Sequence, residues 1–153
     1  MKLLLDTTHL LPIIGISVKG HPRDALIKLM EKRHGISISN ISIFELSAKG
    51  AKYVSAGTLP AEKVIKGIRA IVYDEAIETI PSDESTILLT AFNLRSILSD
   101  FIDCLILASA INRCDALITE DNDIQDLKKN KEFNNLLATI NPKFKIQTLT
   151  ETL

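Results

Sequence analysis

The 153-residue sequence predicts one α/β domain over residues 1–153, a three-layer α/β/α sandwich around a central, mainly parallel sheet. Three observations point there. Short apolar runs of strand length alternate with stretches of helical periodicity. The first of these runs, Leu3-Leu4-Leu5, shows no polar alternation, which suits a central parallel strand covered on both faces. Finally, Ile102, Leu105, Ile106, Leu107, Ala110 and Ile111 cover most of a helix circumference, so that helix belongs inside a domain.

Taken in order, the first strand ends at Asp6, and residues 10–20, broken by Pro12, Gly15 and Gly20, form a short helix or loop. A helix is expected from near Pro22 to a stop at Gly35, with Leu26, Leu29 and Met30 inward. Residues 36–39 form the second strand. The next helix is expected to start near Ser42, because Ser42-Ile43-Phe44-Glu45 has the form of a capping box. Another follows Pro60, with Lys63, Lys66 and Arg69 as a basic stripe opposite Val64, Ile68 and Ile71. Such a stripe is more often a solvated helix face than a nucleic-acid track. Residues 76–80 form a strand closed by Pro81, and Ser82 is expected to cap the helix after it. The apolar helix in the first half of the stretch 100–123 is expected to be capped by Asp100 and leads into the strand Ala-Leu-Ile-Thr at 116–119. A short helix and its continuation come next, then a last edge strand over residues 145–150.

The net charge of −1 excludes a global field that attracts nucleic acid, so any such binding depends on a local patch or a bound cation. Cys104 and Cys114 fall on one helix about 15 Å apart, too far for a disulfide, and read as core residues of a reducing compartment. The opening MKLLL is too short for a signal peptide and no run reaches membrane-spanning length, so the cytoplasm is expected. His9, His21 and His34 show no ligand spacing.

Carboxylates carry the chemistry. Ligands collect at the carboxyl ends of the strands of an open α/β sheet. Asp6 ends strand one, Asp121 follows strand four, Glu45 opens the helix after strand two, and Asp103 lies near the start of the helix that returns to strand four. Four acids from distant segments therefore converge. Two unit charges 4 Å apart repel by about 4 kcal/mol at an effective dielectric near 20, which protonation or a divalent cation relieves. An all-oxygen site favours Mg²⁺ or Mn²⁺ over zinc and suits phosphoryl chemistry. Blander readings stand beside this one. Asp6 can end a strand in a polar turn, Glu45 can serve only the capping box or pair with Lys49, and Asp121 and Asp123 can make an ordinary Asx-type turn, which suits Asp123 best. Asp103 resists such a reading because apolar residues flank it. Thr8 and Thr119 are either filler or hydroxyls that orient the carboxylates.

These segments resemble the PIN-domain nucleases. LLLDTTHLL looks like that family's opening strand, ISNISIFELSAK like its second acidic motif, DFIDCLILASA like its third and ALITEDNDI like its fourth, while FKIQTLT is similar to its last strand. The resemblance implies a Mg²⁺- or Mn²⁺-dependent endoribonuclease of α/β/α fold, with Asp6, Glu45, Asp103 and Asp121 as the catalytic, metal-binding quartet and Thr8, Thr119 and Asp123 in support. Many small members are toxins of VapBC toxin–antitoxin pairs, which act as homodimers blocked by the antitoxin's tail, so an antitoxin and a second copy are the implied partners besides RNA. The segment between His9 and Pro22 is longer and more apolar than the compact toxin pattern. Two other classes compete. One is a catalytically weak version of the fold used as an RNA- or protein-binding module, against which the four retained acids argue. The other is a strand-end aspartate phosphoacceptor. Its dehalogenase type needs Asp where Thr8 stands, and its receiver type needs a late strand-end Lys that ALITED does not supply.

Overall fold

The computed structural model describes all of residues 1–153. Its first strand, β1, is Lys2–Leu5. A 3₁₀ helix, Thr7–Ile14, follows without a loop and ends on Gly15, whose φ of +97° is a left-handed cap that suits glycine. Then come α1 (Ala25–Glu31), β2 (Gly35–Ser39), α2 (Asn40–Ser55), α3 (Ala61–Val72), β3 (Ile77–Ile80), α4 (Ser85–Leu94) and α5 (Phe101–Arg113). The chain closes with β4 (Ala116–Ile118), α6 (Asn122–Asp126), a 3₁₀ turn, α7 (Lys131–Ile140), β5 (Lys145–Gln147) and α8 (Leu149–Thr152).

The five strands lie in the order β3-β2-β1-β4-β5, and every pair is parallel. Leu3, Leu4 and Leu5 sit in the middle strand at no more than 1% exposure, as an unalternating run requires. Two apolar layers cover the sheet. Leu4, Leu117, Ile80 and Ile146 face α4, α5 and α7. On the other face, Leu3, Leu5, Ile36, Ile38, Ala116 and Ile118 meet the first 3₁₀ helix, α1, α2 and α3. The expected sandwich is thus present, with a wholly parallel sheet. Its strand order reverses at β1, since the chain moves from β1 to β2 and β3 on one side and returns through α5 to β4 on the other. The carboxyl ends of β1 and β4 therefore border the crevice where such sheets bind ligands.

Several boundaries differ from the sequence expectation. The helix expected from Pro22 to Gly35 is only α1, because Arg33 turns the chain with φ +62° and Gly35 already pairs with Lys2 in the sheet. Ser39, not Ser42, caps α2: its side chain accepts from Ile41 N, and β2 runs straight into the helix. Glu45 accordingly sits in the second turn. Ser82 does not cap α4; its N–H donates to Asn40 Oδ1, and the helix begins after Glu84. The last strand stops at Gln147, where Thr148 and Glu151 form a capping box for α8. Asp100 does cap α5, accepting from the N–H groups of Ile102 and Asp103. Cys104 and Cys114 are buried free thiols. No helix is long and apolar enough to cross a membrane.

Candidate active site

Asp6, Glu45, Asp103 and Asp121 line one cleft of about 320 Å³ at the carboxyl end of the sheet, together with Thr7, Thr8, Leu11, Lys49 and Glu120. Each acid arrives by a separate route. Asp6 leaves β1 in an extended conformation and caps the 3₁₀ helix, with Oδ1 accepting from Thr7 N at 2.8 Å. Its Oδ2 accepts from the Thr119 hydroxyl at 2.6 Å, which ties the end of β1 to the end of β4. That hydroxyl also accepts from Asp121 N at 3.1 Å, and Asp121 Oδ1 caps α6 by accepting from Ile124 N at 3.0 Å. Asp103 stands in the first turn of α5, which begins at this edge because the helix must return to start β4.

Glu45 is held by a hydroxyl relay. Thr7 Oγ1 lies 2.5 Å from Glu45 Oε1 and 2.9 Å from the Ser42 hydroxyl. An ionised carboxylate only accepts, so Thr7 gives its single proton to Glu45 and takes one from Ser42. Ser42 is fully buried. The inward turn that denies it the capping role places it here.

Crowding shows in the proton affinities. Burial, then the negative charges of Asp100, Asp6, Asp121 and Glu45, push the Asp103 carboxyl up to about 7. Burial also raises Asp6 and Glu45, partly opposed by the hydroxyl of Thr119 at Asp6 and that of Thr7 at Glu45. The salt bridges of the structure join Lys2 and Arg113 to Glu78, Arg113 to Glu84 and Lys28 to Asp24. None neutralises a cleft carboxylate. An open, all-oxygen set whose negative charge is offset only in part, by Lys49 beside Glu45, fits a hard divalent cation such as Mg²⁺ or Mn²⁺.

A family model described as PIN domain matches residues 3–130. This chain belongs to the PIN domain family. Among solved structures it is similar to the crystal structure of VapBC2 from Rickettsia felis bound to a DNA fragment from their promoter. The two are 19% identical over 97% of this chain and 98% of that one, with a TM-score of 0.59, a likeness of fold. No curated protein sequence matches the chain.

In this PIN domain the supporting residues sort differently from the sequence expectation. Thr119 reaches Asp6, as its position after β4 suggested. Thr8 lines the cleft, but the contact to a carboxylate is made by its neighbour Thr7. Asp123 is exposed in the first turn of α6 and lines a separate depression with Arg95, Ser99 and Asp126. The stripe of Lys63, Lys66 and Arg69 is exposed on α3, and none of the three lines the cleft. The sequence does not single out Thr7 or Glu120 for the site, and it suggests Ser42 only as a helix cap and Lys49 only as a partner of Glu45. Only contact across the sheet edge distinguishes Thr7 from Thr8.

Proposed function

We propose that this PIN domain is a metal-dependent endoribonuclease that hydrolyses phosphodiester bonds in RNA. One observation carries the reading: four carboxylates from four distant segments share one cleft, and no salt bridge joins a lysine or arginine to any of them. Asp6, Glu45, Asp103 and Asp121 would hold Mg²⁺ or Mn²⁺. When bound, such an ion polarises the phosphodiester and stabilises the leaving oxygen. Thr119 and the Thr7–Ser42 relay fix the orientation of Asp6 and Glu45 beforehand. One of the four carboxylates would serve as general base toward the attacking water. Lys49, one turn beyond Glu45, offers a cation to the RNA backbone at the cleft wall.

The fold likeness to VapBC2 supports a finer reading, a toxin paired with an antitoxin whose tail enters this cleft. Homodimerisation belongs to that reading. Leu89 and Phe92 of α4 are 63% and 61% exposed, and the Phe92 ring stacks on Phe101 with centroids 6.0 Å apart, a patch suited to a second copy. Free buried thiols suit the cytoplasm.

The test is cleavage of single-stranded RNA by the purified protein in Mg²⁺ or Mn²⁺. Asp6→Asn and Asp103→Asn are each expected to lower the rate about 1000-fold or more, as loss of a several-kcal/mol metal contribution requires. Equal cutting by these variants, or in chelator, would overturn the proposal. A small DNA-binding protein encoded next to this chain and co-purifying with it would carry the toxin reading.

A further inference from the structure

We infer that His9, His21 and Glu120 form a second ion site, separate from the acidic quartet, that takes a transition ion of the zinc class. The three come from different segments: the first 3₁₀ helix, the loop before α1, and the turn after β4. One ligand atom from each lies within 4.8 Å of the other two. The imidazole centroids are 4.6 Å apart with planes tilted by 42°.

Hydrogen bonding leaves each residue a donor atom to spare. His9 is 7% exposed, and neither of its ring nitrogens has a partner. A buried polar side chain left so is costly and calls for an occupant. His21 Nδ1 lies 3.2 Å from the Lys19 carbonyl. A carbonyl only accepts, so Nδ1 carries the hydrogen and the lone pair sits on Nε2, which is buried without a partner. An imidazole whose far nitrogen is tied to a backbone carbonyl is the usual posture of a metal ligand. Glu120 Oε1 accepts from Leu149 N at 2.8 Å, which leaves Oε2 for an ion. Thus backbone groups already orient two of the three ligands.

Two nitrogens and one oxygen select a borderline ion over Mg²⁺. Bond lengths of about 2.0–2.1 Å put tetrahedral ligand atoms about 3.3 Å apart, so the cluster must contract. Exposed Glu120 and half-buried His21 can supply that movement. Three protein ligands leave one position open. An ion here would pin the loop carrying His21 to the turn carrying Asp121, and Glu120 itself lines the acidic cleft. Zinc-class binding would thereby set the shape of one cleft wall.

The experiment uses the full chain, metal-stripped, with the quartet disabled as Asp6→Asn/Asp103→Asn. Zn²⁺ is titrated by calorimetry and Co²⁺ by visible absorption. One equivalent of Zn²⁺ and cobalt bands of low coordination number are expected in this variant. Adding His21→Ala is expected to weaken Zn²⁺ uptake about tenfold or more and to remove the bands. As a readout free of substitutions at the site, the His9 and His21 ring-proton resonances of wild-type protein should move with Zn²⁺ while those of His34 stay. Absence of uptake in the quartet variant, undiminished uptake with His21→Ala, or unmoved His9 and His21 signals would each overturn the inference. Because the quartet is disabled, the outcome does not depend on the nuclease proposal.

Discussion

The hydroxyl of Thr119 donates to Asp6 Oδ2 at 2.6 Å, joining two residues 113 positions apart across the point where the strand order reverses. The same oxygen accepts from Asp121 N. One side chain thus fixes the distance between the first and last acids of the cleft, and the main chain around it is anchored in turn by Gln125 Nε2 on the Thr119 carbonyl at 2.7 Å.

Thr119→Val keeps the shape and removes the hydroxyl. It leaves a half-buried carboxylate oxygen and an N–H without their partner, at a cost of about 1–3 kcal/mol. Mn²⁺ affinity should fall about 10–100-fold, the usual effect of losing a group that orients a ligand. Thr119→Ser should restore most of both. Calorimetry and thermal unfolding check this, and an unchanged Mn²⁺ affinity in the valine variant would count against the bridge.

The same reasoning separates Thr7 from Thr8. Thr7→Val breaks the relay from Ser42 to Glu45, whereas Thr8→Val removes a hydroxyl from the cleft wall. The first is expected to reduce metal affinity about tenfold or more, the second by less than about threefold. Ser42→Ala should resemble a mild Thr7→Val, since Thr7 keeps its proton for Glu45 but loses the donor behind it. The three titrations, run side by side, would show whether the contact belongs to the first or the second threonine.

Much of this is legible in the sequence. The unbroken Leu3–Leu5 run placed β1 in the centre of the sheet, and the apolar circumference of α5 made Asp103 conspicuous, because a carboxylate there needs a partner. Strand-end position brought Asp6 and Asp121 to one edge through topology alone. What stayed hidden depended on contacts between distant segments. Thr7 and Thr8 are equivalent in local sequence, and only the docking of α2 selects Thr7. Ser42 carries the serine–glutamate spacing of a capping box, but β2 runs directly into α2 and makes Ser39 the cap. A capping box at Thr148–Glu151 was written in the sequence, though a β-rich run masked it. His9 and His21 lie on a 3₁₀ helix and an irregular loop, where no periodicity relates them.

Asp103 gives the metal-free protein a distinct pH dependence. Its folded carboxyl titrates near 7, above the unfolded value of 3.8. Between those limits the native state holds the proton and the unfolded state does not, so stability falls as pH rises from about 4 to about 7. His9 runs oppositely: burial, and then the charge of His21, lower it to about 4, so its neutral native form favours folding increasingly as pH climbs from 4 through 6.5. Subtraction isolates the first effect. In chelator, Asp103→Asn should gain on wild type across this window. After discounting for the open cleft the gain is about 2 kcal/mol, or roughly 4–8 °C in Tm. Saturating Mn²⁺ should erase the difference or reverse it, because the ion stabilises only a protein that binds it. A pH-independent difference in chelator would mean that Asp103 does not hold its proton near neutrality.

The approach of α3 to the first 3₁₀ helix yields the last prediction. A Cβ on Gly67 would lie 2.5 Å from the Ile13 carbonyl oxygen and 2.9 Å from Ile14 Cα, both backbone atoms that cannot swing aside. Alanine would gain about 1 kcal/mol of helix propensity. The clash outweighs this, since overpacking costs typically about 1–3 kcal/mol and here must displace the 3₁₀ helix. That helix carries Thr7 at its start, and Asp6 caps it. Gly67→Ala should therefore lower Tm by several degrees and also weaken Mn²⁺ binding at a site it does not touch. Gly57→Ala gives the contrast: it has open space around it but a φ of +76°, so it should cost stability through backbone strain while leaving metal affinity intact. Denaturant unfolding and Mn²⁺ titration of the two variants distinguish these outcomes, and a Gly67→Ala protein as stable as wild type would show that the two helices can separate freely.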